Sequence, residues 1–170
     1  MLKSIFTFSL MTSLIILNGC SQATTPTTEK ATTKVDSPYI AKAEPAGALP
    51  VGESRTTAKT NDDVVIVGRI GGSAAPFVDG LAAFTIVDPK VPYCAADEGC
   101  PTPWDYCCEQ NAVKENIATI KVVDASGKVV AEDARKLLGV KELSEVVVQG
   151  KAKRDEEGNL AVMASQIFVK

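Results

Sequence analysis

Five times between residues 62 and 170 the chain runs through a short stretch rich in β-branched residues and then into turn-forming ones. Val64-Val65-Ile66-Val67-Gly68-Arg69-Ile70 is the first run and Leu81-Ala82-Ala83-Phe84-Thr85-Ile86-Val87 the second. Residues 117–123 form the third, which alternates Ile117, Thr119, Lys121 and Val123 against Ala118, Ile120 and Val122. Residues 145–153 and 160–169 are the fourth and fifth, joined by the hairpin loop Asp155-Glu156-Glu157-Gly158-Asn159. Runs of this length and composition predict strands. Asp124-Ala125-Ser126-Gly127 predicts a turn after the third. One helical signal interrupts the series. Ala131, Ala134, Leu137 and Leu138 share a helical face, Glu132 and Asp133 fall in its first turn, and Gly139 stands where a helix ends. The core must be aliphatic, because aromatic residues make up only 5% of the chain.

Three strands, a helix and two strands in about 109 residues resemble the OB-fold, a five-stranded Greek-key barrel. Ile66-Val67-Gly68-Arg69-Ile70 and Val148-Gln149-Gly150-Lys151-Ala152 are similar patterns in the first and fourth runs, which pair in such barrels. A glycine relieves the bend of a tightly coiled strand. Phe84-Thr85-Ile86-Val87-Asp88 is similar to the second strand of bacterial OB domains. The expected fold is therefore all-β with one short helix: an OB-like barrel carrying a cysteine-stapled insert, residues 88–116, between strands two and three. A small β-sandwich or another five-stranded barrel is the alternative.

The N-terminus carries a different signal. Lys3 precedes an apolar run of about 13 residues (5–17), the length of a signal h-region and too short to span a bilayer. Leu17-Asn18-Gly19-Cys20 resembles the bacterial lipobox, in which a cysteine after a small residue receives diacylglycerol before cleavage. The resemblance implies a signal peptide over residues 1–19, a lipid on Cys20 and residence in the cell envelope. Ser21 after the cysteine implies the outer membrane in a Gram-negative cell. Acyl chains contribute about 0.8 kcal/mol per buried CH₂, so two or three hold firmly. Residues 21–61 are rich in Thr, Ala, Pro, Lys and Ser, a composition that predicts a disordered tether.

The insert holds Cys94, Cys100, Cys107 and Cys108, the last three within Cys100-Pro101-Thr102-Pro103-Trp104-Asp105-Tyr106-Cys107-Cys108. This segment is similar to ones in uncharacterised secreted proteins of planctomycete-type bacteria, a resemblance that implies no function. Two disulfides are expected, each joining Cys107 or Cys108 to Cys94 or Cys100, because the inferred compartment is oxidising. A thiolate metal site would select Cu(I) or Zn, but the spacing lacks paired knuckles and adjacent cysteines reach one ion with difficulty. A redox-active thiol needs a cation beside it, and Asp97, Glu98, Asp105 and Glu109 crowd these cysteines instead.

The absence of histidine removes every mechanism that needs an imidazole. Asp88 and Asp124 stand near strand ends, but nothing fixes two carboxylates at a working distance. Gly71-Gly72-Ser73 lacks the lysine and helix of a phosphate loop and reads as a flexible turn. Residues 62–170 carry twelve Lys and Arg against seventeen Asp and Glu, a net charge of 12 − 17 = −5, which opposes nucleic-acid binding. No catalytic residue, cofactor or metal is assigned. Trp104, Tyr106 and Phe84 are the candidate binding residues, although in a domain so poor in aromatics Trp104 and Tyr106 are better suited to fill the small core of the insert or plug the open end of the barrel. The expectation is a non-enzymatic, lipid-anchored binding module whose partner is an envelope protein, a glycan or a small ligand. A thiol-based metal or redox protein is the competing class, and a structural envelope component a third.

Overall fold

A computed structural model of the protein describes residues 35–170. The inferred signal peptide, Cys20 and the first part of the inferred tether lie outside them. Six strands, β1 (Leu49–Pro50), β2 (Asp63–Ile70), β3 (Ala83–Val87), β4 (Ile117–Val122), β5 (Glu145–Arg154) and β6 (Leu160–Val169), are interspersed with three short helices, α1 (Val51–Thr57) after β1, α2 (Gln110–Glu115) before β4 and α3 (Ala134–Leu138) before β5.

The five long strands close on themselves. β2, β3 and β4 form antiparallel neighbours, β4 pairs in parallel with β6, and β6 returns antiparallel to β5. β5 then pairs antiparallel with β2 from Asp63↔Lys151 to Arg69↔Glu145. This is the expected OB-like five-stranded barrel, and its first and fourth runs, β2 and β5, pair as expected. The alternation read in the third run is its inside and outside: Ala118, Ile120 and Val122 are buried, while Thr119 and Lys121 are partly exposed. The strand glycines sit where backbones meet. A Cβ on Gly150 would overlap the Met163 carbonyl oxygen at a register shift between β5 and β6, and one on Gly68 would lie 2.7 Å from Ile86 Cδ1. Such closeness is what the coiling of a small barrel demands.

The tether reading fails for residues 35–61. β2 meets β3 only through Arg69↔Val87 and Ile70↔Ile86, which leaves part of its edge unpaired. β1 takes that place, with Leu49↔Ile66 and Pro50↔Val67. α1 then drops Val51 into the main core, where it is fully buried, together with Ala58. Ile40 bridges to Ile167 on β6. Arg154 donates to the carbonyls of Arg55 and Ala58, satisfying the open end of α1. Composition pointed to disorder because so few residues of this segment are apolar, yet those few fill a gap the barrel leaves open.

The predicted helix is α3, one turn shorter than read. Ala131 is exposed outside it, and Asp133 is the N-cap, its carboxylate accepting from Arg135 N–H at 2.9 Å. Gly139 takes the left-handed conformation that ends the helix (φ 66°). Phe84, a candidate binding residue, is 1% exposed in the barrel core, its ring 5.9 Å from that of Phe77. It is a core residue because inward positions of a five-stranded barrel leave no lumen. No helix among the described residues is long and apolar enough to cross a membrane.

Candidate metal centre

The insert leaves and rejoins the barrel at one point, because β3 and β4 are antiparallel neighbours and Val87 faces Ile117. Asp88 N–H donates to Asn116 O at 2.9 Å and closes the neck. The Asp88 carboxylate is buried and accepts from the Gly52 and Lys90 amides at 2.8 and 3.0 Å. Both oxygens thus hold backbone. Asp124 is committed in the same way to its own turn, accepting from Ser126 N–H, Ser126 Oγ and Lys128 N–H. These bonds hold its carboxyl below the usual range, the Ser126 hydroxyl most of all.

Within the insert, Val87, Val91, Tyr106 and Val113 form a small core of their own. Tyr106 is the pivot. Its ring is fully buried, and its backbone takes a left-handed conformation (φ 56°) unusual for a residue with a side chain. Gly71 makes room for it: a Cβ there would lie 2.6 Å from Trp104 O and 2.9 Å from Tyr106 Cε2. Gly72 N–H donates to Trp104 O at 2.8 Å, and the Trp104 indole N–H donates to Ala74 O at 3.0 Å. Gly71-Gly72-Ser73 is therefore the seat of the insert and not a flexible turn. Tyr106 is no exposed grip for a ligand, because it fills the space between insert and barrel. Trp104 is half-buried on the same seam.

The reversal at Tyr106 throws Cys107 and Cys108 back toward Cys94 and Cys100. Asp105 Oδ1 fixes the turn by accepting from Cys107 N–H at 2.9 Å, and its other oxygen accepts from Thr102 Oγ1 at 2.7 Å. The Glu98 carboxylate accepts from Ala95 N–H at 2.6 Å and shapes the single 3₁₀ turn between Cys94 and Cys100, which ends at left-handed Gly99. The result is convergence. Cys107 Sγ lies 3.5 Å from Cys94 Sγ, 3.4 Å from Cys100 Sγ and 3.8 Å from Cys108 Sγ, and all four sulfurs lie within 4.8 Å of one another. Cys94 is buried, Cys100 half-buried, and Cys107 and Cys108 exposed.

This arrangement corrects two expectations. No pair of these sulfurs stands at the roughly 2.0 Å of a disulfide; four thiols surround one point instead of forming two crosslinks. The objection to a metal also falls, because the left-handed turn lets the adjacent Cys107 and Cys108 face the same point. Four thiolates around a tetrahedral ion with about 2.3 Å metal–sulfur bonds would stand roughly 3.8 Å apart. The donor set fits such an ion in number, chemistry and size.

The thiols also govern one another's protonation. For Cys94, burial pushes the thiol up, but donation from the Cys100 and Cys107 thiols and the Cys108 and Cys107 amides outweighs it, and the net shift is downward. Cys100 is pushed up to about 12, chiefly by its hydrogen bond with Cys107, and Cys108 to about 11 by the same partner. Crowding thus disfavours several thiolates at once unless a cation joins them. Neighbouring thiols, and not the acidic residues named from the sequence, dominate; Glu98 is the least of the influences on Cys108.

The sequence singles out all four cysteines, there expected as disulfide partners, but not what assembles them: the left-handed Tyr106, the Gly71 seat and the Asp105 turn. The adjacent glycines were the visible signal. No family model matches the chain, and no curated protein matches it.

Proposed function

We propose that this protein is a lipid-anchored component of the bacterial cell envelope whose OB-like barrel presents a four-thiolate centre for a soft metal ion. The convergence of Cys94, Cys100, Cys107 and Cys108 within 4.8 Å carries the metal reading. All-sulfur coordination suits soft or borderline ions such as zinc and copper(I) and suits hard oxygen-seeking ions poorly. The envelope reading rests on Lys3, the apolar run over residues 5–17 and Leu17-Asn18-Gly19-Cys20, which keep the lipid-bearing cysteine apart from the four in the insert. A ligand-gripping aromatic face draws less support, because Phe84 and Tyr106 present almost no surface.

The test is elemental analysis of full-length protein extracted in detergent and purified anaerobically under reductant, then offered zinc(II) or copper(I). One ion per chain, with the four insert thiols protected from alkylation, is the expected result. Two disulfides and no bound ion of any kind would reject the metal reading. Mass spectrometry of the same extract checks the anchor, which requires an N-terminus at Cys20 with its diacylglycerol.

A further inference from the structure

Resting on the reading of these cysteines as a metal centre, we propose that the ion is zinc(II), bound by all four thiolates, and that it is the clasp that orders the insert, its occupancy reaching the loop after β2 through Trp104.

Size is the first argument. The three sulfur pairs that Cys107 makes, at 3.4, 3.5 and 3.8 Å, match or fall just short of the roughly 3.8 Å edge of a zinc tetrathiolate, and the remaining pairs lie within 4.8 Å. An iron–sulfur cluster places several irons and inorganic sulfides between its cysteines, and sulfurs within 4.8 Å of one another leave no space for that. Charge is the second. Four thiolates around zinc(II) leave a net −2, and around copper(I) a net −3. The surroundings worsen a negative site: Glu98 acts on Cys108, and the Asp105 carboxylate sits on the Cys107 amide. Arg69, a nearby cation, is engaged elsewhere, over the Tyr93 ring at 5.1 Å and against Glu145 at 3.7 Å. The more highly charged ion is favoured.

Need is the third. Two 3₁₀ turns of three residues and a six-residue helix do not hold themselves together. Their shared core is Val91, Tyr106 and Val113 against Val87 of the barrel. A segment with so little buried area relies on a crosslink or a metal, and zinc bound by such a segment supplies folding energy directly. Transmission is the last step. Trp104 lies three residues before Cys107, and its carbonyl and indole hold Gly72 and Ala74. Loss of the clasp releases that seam.

Trp104 is the chain's only tryptophan, so its fluorescence reports on the insert alone. The experiment uses full-length protein in detergent, loaded with one equivalent of zinc(II). X-ray absorption should show four sulfurs at about 2.3 Å. Removal of zinc by a chelator under reductant should shift Trp104 emission to the red while the far-ultraviolet signal of the barrel holds, and one equivalent of zinc should restore it. Cys108 is exposed, so Cys108→Ser leaves packing intact and should weaken zinc binding by at least the roughly 10- to 100-fold that even an outer-shell change costs. Selective retention of copper(I), or of a single iron, would overturn the zinc assignment and leave the thiolate reading standing. Four-sulfur zinc whose removal leaves Trp104 unchanged would overturn the clasp. Protein that holds no zinc, copper or iron fails the underlying reading and this inference together.

Discussion

The barrel and the insert are held by different physics. In the barrel, every long strand has a neighbour on each side, and Ile66, Phe84, Ile86, Ile120, Val148 and Ile167 meet in one continuous core. In the insert, order comes from a few close approaches: Gly71 under Tyr106, Asp105 on the Cys107 amide, and four sulfurs at one point. Burial scales with area and tolerates the loss of any one polar contact. A structure built from close approaches has no such reserve. The barrel should therefore fail as a unit and the insert should fail first and separately.

The sharpest break of that comparison is a cavity in the barrel. Phe84→Ala removes a fully buried ring and should cost about 3–5 kcal/mol, read as a lower urea midpoint for the whole far-ultraviolet transition. Cys108→Ser should leave that midpoint in place. If both substitutions move it equally, insert and barrel are one cooperative unit and the contrast is lost. Less drastic is Gly71→Ala, whose Cβ meets Trp104 O and the Tyr106 ring. Overpacking of this kind costs about 1–3 kcal/mol. The cost should appear in Trp104 emission at lower urea than the barrel transition.

How far each region could be read from its residues follows the same division. The barrel was legible because alternation is repeated strand after strand: residues 117–123 show inside and outside directly, and Gly68 and Gly150 mark the bends. Phe84 was misassigned since the pattern gives the face of a strand but not whether that face is a lumen or a groove. Residues 35–61 were misread because composition averages over a segment, whereas Val51 and Ile40 act singly. The insert was the least legible. Its four cysteines are plain in the sequence, but their convergence depends on one left-handed residue, Tyr106, which no periodicity signals. Glycine pairs such as Gly71-Gly72 mark close approach as well as freedom, and the chain alone does not say which.

Acid and alkali should separate the regions too. Asp124, Asp133 and Asp155 lie in barrel connections and are all held below the usual carboxylate range, by Ser126, Arg135 and Asn159 respectively. A lowered folded value contributes stability that is present above the unfolded value of about 4 and is lost as pH falls below it. The barrel midpoint should decline there. In the metal-free insert the sign reverses. Cys100 and Cys108 are raised to about 12 and about 11 from 9.0, so their contribution is complete below pH 9 and is lost as pH climbs through that range. Cys94, lowered, works the other way, but it is one group against two. Any fraction of metal-free protein whose insert is still ordered at about pH 9 without its clasp should lose its native Trp104 emission by about pH 11 while the barrel signal holds. A shift in the barrel signal instead would place the alkaline weakness outside the insert.

The smallest expected effect is at the pivot itself. The Tyr106 hydroxyl is buried and has no hydrogen-bond partner. Burial pushes its phenol up; the guanidinium of Arg69 opposes this without making a bond of acceptable geometry to the hydroxyl. A buried hydroxyl left unsatisfied costs about 1–3 kcal/mol, so Tyr106→Phe deletes a liability while keeping the ring that fills the seat. Insert stability should rise, by no more than about 1 kcal/mol after small losses of fit, and zinc affinity should stay where it was. The measurement is the urea midpoint of Trp104 emission beside a zinc titration. A fall of more than about 1 kcal/mol would mean that the hydroxyl bonds Arg69 in solution. The insert would then rest on a buried polar pair as well as on its ring and its sulfurs, and its dependence on the clasp would be correspondingly weaker.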